Sequence, residues 1–185
     1  MATSATRMLT FEEWATRPET SRIEELIDGE LVVTEPRWNH QVVVLAIGAA
    51  LREHAQRVGD GVVPAPFGIR TGERTVVQPD LVYFRRERID FAGSDHRTTS
   101  APDLVVEVLS PSNRAHDLVR KRRIFEQHGI REVWFVDVDA PRIEQLTRGA
   151  EGSFGRPIVH EPGDTLTSTA IEGLTVDVAG VLSLD

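Results

Sequence analysis

The segment PDLVVEVL at positions 102–109 constrains the fold most, because the apolar run that follows its Pro-Asp, residues 104–109, contains a single acid, Glu107. Short continuous apolar runs are typical of strands that are buried on both faces of a sheet. An ionisable side chain in such a strand is rare unless it is paired or functional. We therefore expect a central strand at this position, and a partner for Glu107.

Two aspartates that follow prolines, Asp80 in QPDLVYF and Asp103 in APDLVV, are the candidate partners. Asp103 lies four residues before Glu107 on the same predicted strand, about 13 Å away at ~3.3 Å per residue. Carboxylates that share one metal ion need oxygens within about 2.6 Å of it, so Asp103 is better explained as a strand-start residue. Asp80 lies on the preceding predicted strand, where directly opposite Cβ atoms are about 5 Å apart. Asp80 is therefore the expected partner.

A lysine on the next predicted helix, residues 117–128, adds a third candidate. At about 100° per residue, Leu118, Lys121 and Phe125 lie on one stripe, which should face the sheet. A lysine on such a face either extends its ammonium group to solvent or meets a buried carboxylate. The short connection to the strand of Glu107 favours the second alternative, and Asp117, one turn earlier, could hold Lys121 in place.

The remaining pattern predicts a single α/β domain over residues 1–185, with helices packed on a sheet. A capping box at Thr10 and Glu13 opens a short helix, and Asp28-Gly29 turns a hairpin. The predicted elements are the hairpin at 22–35, a helix at 40–59, strands at 61–70, 75–84 and 102–109, the helix at 117–128, a strand at 130–139, and a strand-rich tail.

Composition excludes several classes of protein. The chain has no cysteine, so disulfides and thiolate metal sites are ruled out. It has no apolar run of the ~20 residues that span a membrane and no secretory signal pattern. We therefore expect a cytoplasmic protein that does not associate with a membrane. A net charge of −8 argues weakly against nucleic-acid binding, although arginines cluster at 85–88 and 120–123. Nucleotide-binding glycine loops, nucleophile elbows and zinc-type histidine spacings are absent from the sequence.

The segment EVLSPSN is followed by a spaced D, K, F and G and then by EVWFVD, and IDGELVV lies upstream. This arrangement resembles the Uma-type (Uma-two) family of restriction endonucleases within the PD-(D/E)xK nuclease superfamily, and the resemblance runs through most of the chain. It implies a restriction-endonuclease-like core with an N-terminal hairpin and a strand-rich C-terminal extension. Leu109 stands where the superfamily pattern has lysine, which implies that the lysine has moved to the following helix as Lys121.

The resemblance implies Mg²⁺- or Mn²⁺-dependent hydrolysis of DNA phosphodiester bonds, with Asp80 and Glu107 as metal ligands and Lys121 as the third catalytic residue. Glu30, His40 and Asp117 are the expected accessory residues, although a polar helix start would also explain His40. The expected nucleic-acid contacts are Ser110, Asn113, Arg114, Arg120, Arg122 and Arg123, of which the first two could instead form turns and caps.

Three functions compete at this point. The first is a metal-dependent DNA endonuclease. The second is a catalytically silent module on the same fold that binds nucleic acid or protein, which the acidic net charge favours modestly. The third is a structural or regulatory partner protein without a site. The resemblance also implies a homodimer.

Overall fold

The computed structural model describes residues 7–18, 20, 22–88, 97–109 and 114–184, with only the backbone described at 97 and 114–117. The α-helices are Phe11–Ala15 (α1), Trp38–Val58 (α2), Arg114–His128 (α3) and Val178–Leu182 (α4), with a 3₁₀ turn at Arg86–Arg88. The strands are Ile23–Ile27 (β1), Glu30–Thr34 (β2), Gly61–Val62 (β3), Gly68–Gly72 (β4), Thr75–Val77 (β5), Leu81–Arg85 (β6), Arg97–Thr98 (β7), Leu104–Val108 (β8), Glu132–Asp137 (β9), Arg142–Thr147 (β10), Ile158–His160 (β11), Thr165–Thr167 (β12) and Thr175–Asp177 (β13).

A six-stranded sheet in the order β11-β10-β9-β8-β6-β3 forms the centre of the protein. Strands β8 and β9 run parallel and are joined through α3, whereas their outer neighbours are antiparallel. All five residues of β8 are buried, as the apolar run predicts. Val106 belongs to the core shared with α2, and Val105 to the core shared with α3. The alternating side chains of β8 therefore fill two cores, one on each face of the sheet.

A second sheet, in the order β2-β1-β5-β4-β7, contributes Ile27, Ile69 and Val77 to the core shared with α3. Its hairpin β1–β2 turns at Asp28 and Gly29, which have φ values of 52° and 87°. Both angles are positive, as the type I′ hairpin turn requires. The predicted hairpin is therefore confirmed. The predicted helix at 40–59 corresponds to α2, which begins two residues earlier and ends at Val58, followed by the capping residue Gly59 with φ of 79°.

The segment predicted as one strand at 75–84 is divided between the two sheets, so that prediction was wrong. Strand β5 pairs with β1 and β4, whereas β6 pairs with β8. The break lies at residues 78–80 and contains Pro79, which has no N–H to donate to a ladder. The run 61–70 is likewise divided into β3 and β4. Asp80 consequently lies where the chain passes from one sheet to the other.

The C-terminal segment forms β10 to β13 and also α4, a helix that the sequence pattern did not predict. A buried acid at the start of β9, Glu132, holds this segment. Its Oε1 accepts hydrogen bonds from the side chains of Trp134 and Gln145. Its Oε2 accepts from Ser168 Oγ, from the N–H and hydroxyl of Thr169, and from the N–H of Ala170, at 2.7–2.9 Å.

No helix in the described part of the chain is long and apolar enough to cross a membrane.

We predict that Glu132→Gln lowers the free energy of unfolding by on the order of 3 kcal/mol. The amide N–H groups of glutamine would face neighbours that donate hydrogen bonds to the Glu132 carboxylate, so donors would oppose donors. Urea denaturation measures the change. Glu144→Gln, on the neighbouring strand β10, is the control, since its partly exposed pair with Arg142 should contribute at most about 1 kcal/mol. Equal losses in the two variants would contradict this role of Glu132.

Candidate active site

Asp80 and Glu107 face each other across the β6–β8 pair. The register pairs Leu81 with Val106, so the next position outward places Asp80 opposite Glu107. Asp80 Oδ2 accepts a 2.8 Å hydrogen bond from the backbone N–H of Val108. Its Oδ1 lies 3.0 Å from Nε2 of the buried His40, in the first turn of α2. The structure therefore brings His40 and Asp80 together beside Glu107.

Lys121 reaches the buried carboxylates instead of extending to solvent. Its Nζ donates to both oxygens of Glu107, at 2.9 and 2.8 Å. The same nitrogen lies 3.1 Å from Oε1 of Glu25, on β1. Glu25 is also buried, and its Oε1 accepts a 2.8 Å hydrogen bond from the backbone N–H of Gln78. One ammonium group therefore connects acids from the two sheets.

These side chains line a single pocket between the hairpin and the central sheet. Its polar lining comprises Glu25, Thr34, His40, Gln78, Asp80, Glu107 and Lys121. Apolar side chains from β1, β2, β8 and β9 complete it, among them Val32 and Phe135. The arrangement is a concave site with a few convergent charged groups, which is the usual form of a site that binds a small ligand or a reacting group.

Comparison with known proteins agrees with the geometry. Residues 9–179 match Uma2, a family described as "Putative restriction endonuclease". The chain belongs to the Uma2 family. Among solved structures it is similar to the crystal structure of a putative nuclease belonging to DUF820 from Anabaena variabilis, with a TM-score of 0.80 and 18% sequence identity, over 94% of this chain and 97% of that chain. No curated protein matches the sequence. The predicted family and the restriction-endonuclease-like α/β fold are confirmed.

Burial dominates the electrostatics of this Uma2 site. Removal from water and the nearby Glu25 and Asp80 carboxylates together raise the pKa of Glu107 to about 8, despite the attraction of Lys121. Burial opposes the charged form of Lys121, but the attraction of Glu107 and Glu25 outweighs it and raises the lysine pKa well above its usual range. Lys121 is therefore a permanent cation at neutral pH.

The donor chemistry of the pocket fits a hard divalent cation. With all three carboxylates ionised and His40 counted as neutral, the one ammonium group leaves the site a formal charge of −2, which a divalent ion would balance. Mg²⁺ takes oxygen ligands and often uses only one or two protein carboxylates with waters. The residues that the structure describes contain no cluster of three or more acidic or histidine side chains with metal-binding geometry. A divalent cation in this pocket would therefore be held by one or two carboxylates together with waters, and not by protein ligands alone.

Several residues expected at the site lie elsewhere. Glu30, expected as an accessory acid, does not line the pocket and bonds Arg120 Nη1 at 3.1 Å. Arg120 also donates to the carbonyl of Ile27 at 2.6 Å, and Arg123 bonds Asp28 at 3.3 Å. These arginines join α3 to the hairpin turn, so each has a partner within the chain, and their expected phosphate contacts stay predictions.

The other expected contacts divide into two groups. Arg122 donates to the carbonyls of Phe154 and Gly155 at 3.0 and 3.1 Å. Ser110 and Asn113 lie outside the described residues, as do the side chains of Arg114 and Asp117. Their predicted roles stay predictions.

The rejected aspartate, Asp103, has a structural role. It is fully buried, accepts from the backbone N–H of Arg85, and pairs with the guanidinium groups of Arg88 and Arg131.

Glu25 is the one charged residue of the pocket lining that was not predicted from the sequence. On a strand, Ile23, Glu25 and Ile27 share one face because side chains alternate. An acid between two isoleucines on a face that should be buried was the available signal, the same kind of signal that singled out Glu107. The composition also distinguishes Lys121 from the other cations. It is the only lysine among the 185 residues, and every other basic side chain apart from histidine is arginine.

We predict that the free energy of unfolding of this Uma2 protein falls as the pH rises from 7 to 9. The folded pKa of Glu107, about 8, lies above the ordinary glutamate pKa of 4.5 that applies in the unfolded chain, so the folded state binds the extra proton. That stabilisation is complete below the unfolded pKa and is lost as the pH rises through about 8. Urea denaturation at each pH measures it.

Glu107→Gln should remove this fall, and Glu24→Gln, which replaces the neighbour of Glu25, should retain it. The histidines His54 and His128, whose pKa values are lowered by burial, act below this pH window. A flat profile in the wild-type protein would show that Glu107 does not retain a proton in the folded state.

Proposed function

We propose that this protein is a Mg²⁺- or Mn²⁺-dependent endonuclease that hydrolyses phosphodiester bonds of DNA. The observation that carries the proposal is the convergence of Asp80, Glu107 and Lys121 in one pocket, on a chain of a nuclease family. Asp80 and Glu107 would hold the ion. When bound, a divalent ion supplies charge neutralisation at the phosphate and lowers the pKa of an attacking water.

The role of Lys121 follows from its charge. A lysine whose pKa is raised keeps its proton at neutral pH, so it cannot serve as a general base. Its ammonium group instead offsets the negative charge that develops on the phosphate oxygens in the transition state. A lysine in such a site could also orient the attacking water, but the acids around Lys121 favour the role of offsetting charge.

His40 has a positioning role in the proposed reaction. Its Nε2 contacts Oδ1 of Asp80, while the N–H of Val108 holds Oδ2. Both Asp80 oxygens are therefore held in place from outside, by α2 and by β8. Each carboxylate oxygen has two acceptor sites, so these contacts leave capacity for a cation.

We predict that Lys121→Met lowers the rate of plasmid nicking in Mg²⁺ or Mn²⁺ by about 100-fold or more, because it removes a cation directed at the transition state. Asp80→Asn should lower both the rate and the calorimetric affinity for the ion. Arg52→Met, which removes an exposed cation from α2, is the control and should cut at close to the wild-type rate.

Equal ion binding by the wild-type protein and Asp80→Asn would contradict the assignment of the ligands. Ion binding without cleavage of supercoiled, linear duplex or single-stranded DNA would favour the catalytically silent binding module instead.

We also propose a homodimer, on the family resemblance alone. Sedimentation equilibrium tests it: the expected species has twice the chain mass of 20.6 kDa. A monomer at micromolar concentration would contradict the proposal without bearing on the pocket.

A further inference from the structure

Lys121 has more acidic partners than the proposed catalytic set requires. Its Nζ is 2.8 and 2.9 Å from the two oxygens of Glu107, on the six-stranded sheet. It is 3.1 Å from Glu25, on the five-stranded sheet. An ammonium group has three hydrogens, and three carboxylate oxygens lie within reach. Glu25 has no place among the metal ligands or charge-stabilising groups assigned above, so its position requires a separate explanation.

The contacts of Glu107 create a conflict with cation binding. Both of its oxygens accept hydrogen bonds from the Lys121 ammonium group, so a divalent ion at either oxygen would lie close to a second cation. The ion would repel the ammonium group, since like charges a few ångströms apart in a buried site interact strongly. Lys121 must therefore shift when Glu107 takes an ion. Burial makes an unpaired ammonium group costly, so the shifted group needs another acid.

Glu25 is such an acid, and its position is fixed independently of Lys121. The backbone N–H of Gln78 donates to the same oxygen, Oε1, at 2.8 Å. The side chain of Gln78 donates to the carbonyl of Glu24 at 3.2 Å, which holds β1 against this loop. At the far end of β1, Arg120 donates to the carbonyl of Ile27. Lys121 can therefore turn fully to Glu25 without a rearrangement of the backbone.

We propose that Glu25 is an alternative binding partner for the Lys121 ammonium group: when a divalent cation occupies Glu107, Lys121 transfers to Glu25 and stays charged and fixed beside the reacting phosphate. Glu25 is thus a positioning residue, and this inference rests on the proposed function. The exchange moves one side chain and one ion, and it makes and breaks no covalent bond. The competing explanation is that Glu25 itself binds the cation.

Nuclear magnetic resonance of the full chain can observe the transfer directly, because Lys121 is the only lysine. Growth on ¹⁵N-lysine gives a single side-chain ammonium signal. In the wild-type protein we expect this signal to persist and shift as Mg²⁺ is added, since the ammonium group exchanges one buried partner for another. In Glu25→Gln we expect the signal to be lost on Mg²⁺ addition, because the group then exchanges with water.

Glu24→Gln is the matched control, since it removes one charge from the neighbouring position of the same strand and should behave like the wild-type protein. A signal in Glu25→Gln that follows the wild-type course through saturation with Mg²⁺ would overturn the inference. So would a wild-type signal that does not move although calorimetry shows that Mg²⁺ binds. The wild-type titration needs no variant, so it decides even if Glu25→Gln folds poorly.

A double-mutant cycle separates the two explanations of Glu25. We expect Glu25→Gln to weaken Mn²⁺ binding about tenfold in the wild-type background, within the usual range of coupling between sites. In the Lys121→Met background it should weaken binding no more than Glu24→Gln does, because there is no ammonium group to relocate. An undiminished loss in that background would make Glu25 a ligand and overturn the inference.

The failure of the proposed function has a different signature. If neither Mg²⁺ nor Mn²⁺ binds the wild-type protein by calorimetry, both the metal site and the transfer to Glu25 are refuted. If the ion binds and Asp80→Asn weakens it, but Lys121 keeps its contacts with Glu107, only the transfer is refuted.

Discussion

The Lys121 ammonium group and the buried acids around it are the interaction on which the site depends. Glu107 comes from the central sheet and Glu25 from the hairpin sheet, and the lysine that joins them comes from α3, the helix that connects the parallel strands β8 and β9. Removing one partner from a buried ion pair leaves an uncompensated charge, at a cost of about 3–5 kcal/mol. The packing of the two sheets against α3 therefore depends on the ion pairs of Lys121 as well as on apolar contacts.

The arginines on either side of Lys121 connect α3 to other parts of the protein. The exposed turn of the hairpin is held to α3 by Arg120 and Arg123, one residue before and two residues after the lysine. The neighbouring Arg122 bonds the segment after β10. Four consecutive cations on one helix thus contact three different parts of the protein, because successive side chains on a helix differ in direction by about 100°.

Local patterns predicted the elements that depend on them. The unbroken burial of β8 follows from its apolar run, and the Asp80–Glu107 apposition follows from strand pairing, which the register places as expected. Helical periodicity placed Lys121 on the inward face of α3. The restriction-endonuclease-like fold and the family were also within reach, because the spaced residues from EVLSPSN to EVWFVD are specific.

The errors share one physical cause: a sequence pattern reports the environment of a residue and not the identity of its neighbour. The run 75–84 looks like one strand, yet β5 and β6 belong to different sheets, and only Pro79 indicates the change. Glu30 was expected near the site because of its motif, and Glu25 was not considered, although strand alternation places Glu25 on the apolar face. Arg120 was singled out as one of a cluster of arginines, and the sequence did not indicate its partners within the chain, which lie 90 or more positions away.

The single lysine also has a chemical consequence. The 185 residues contain 21 lysines and arginines together, and 20 of these are arginine, so the cationic surface of the protein carries no primary amine on any side chain. Acylating reagents and lysine-modifying enzymes would have one side-chain target, and it is mostly enclosed between two acids. Acylation there would remove the charge that joins the two sheets, so this chain concentrates its whole sensitivity to lysine modification at one buried atom.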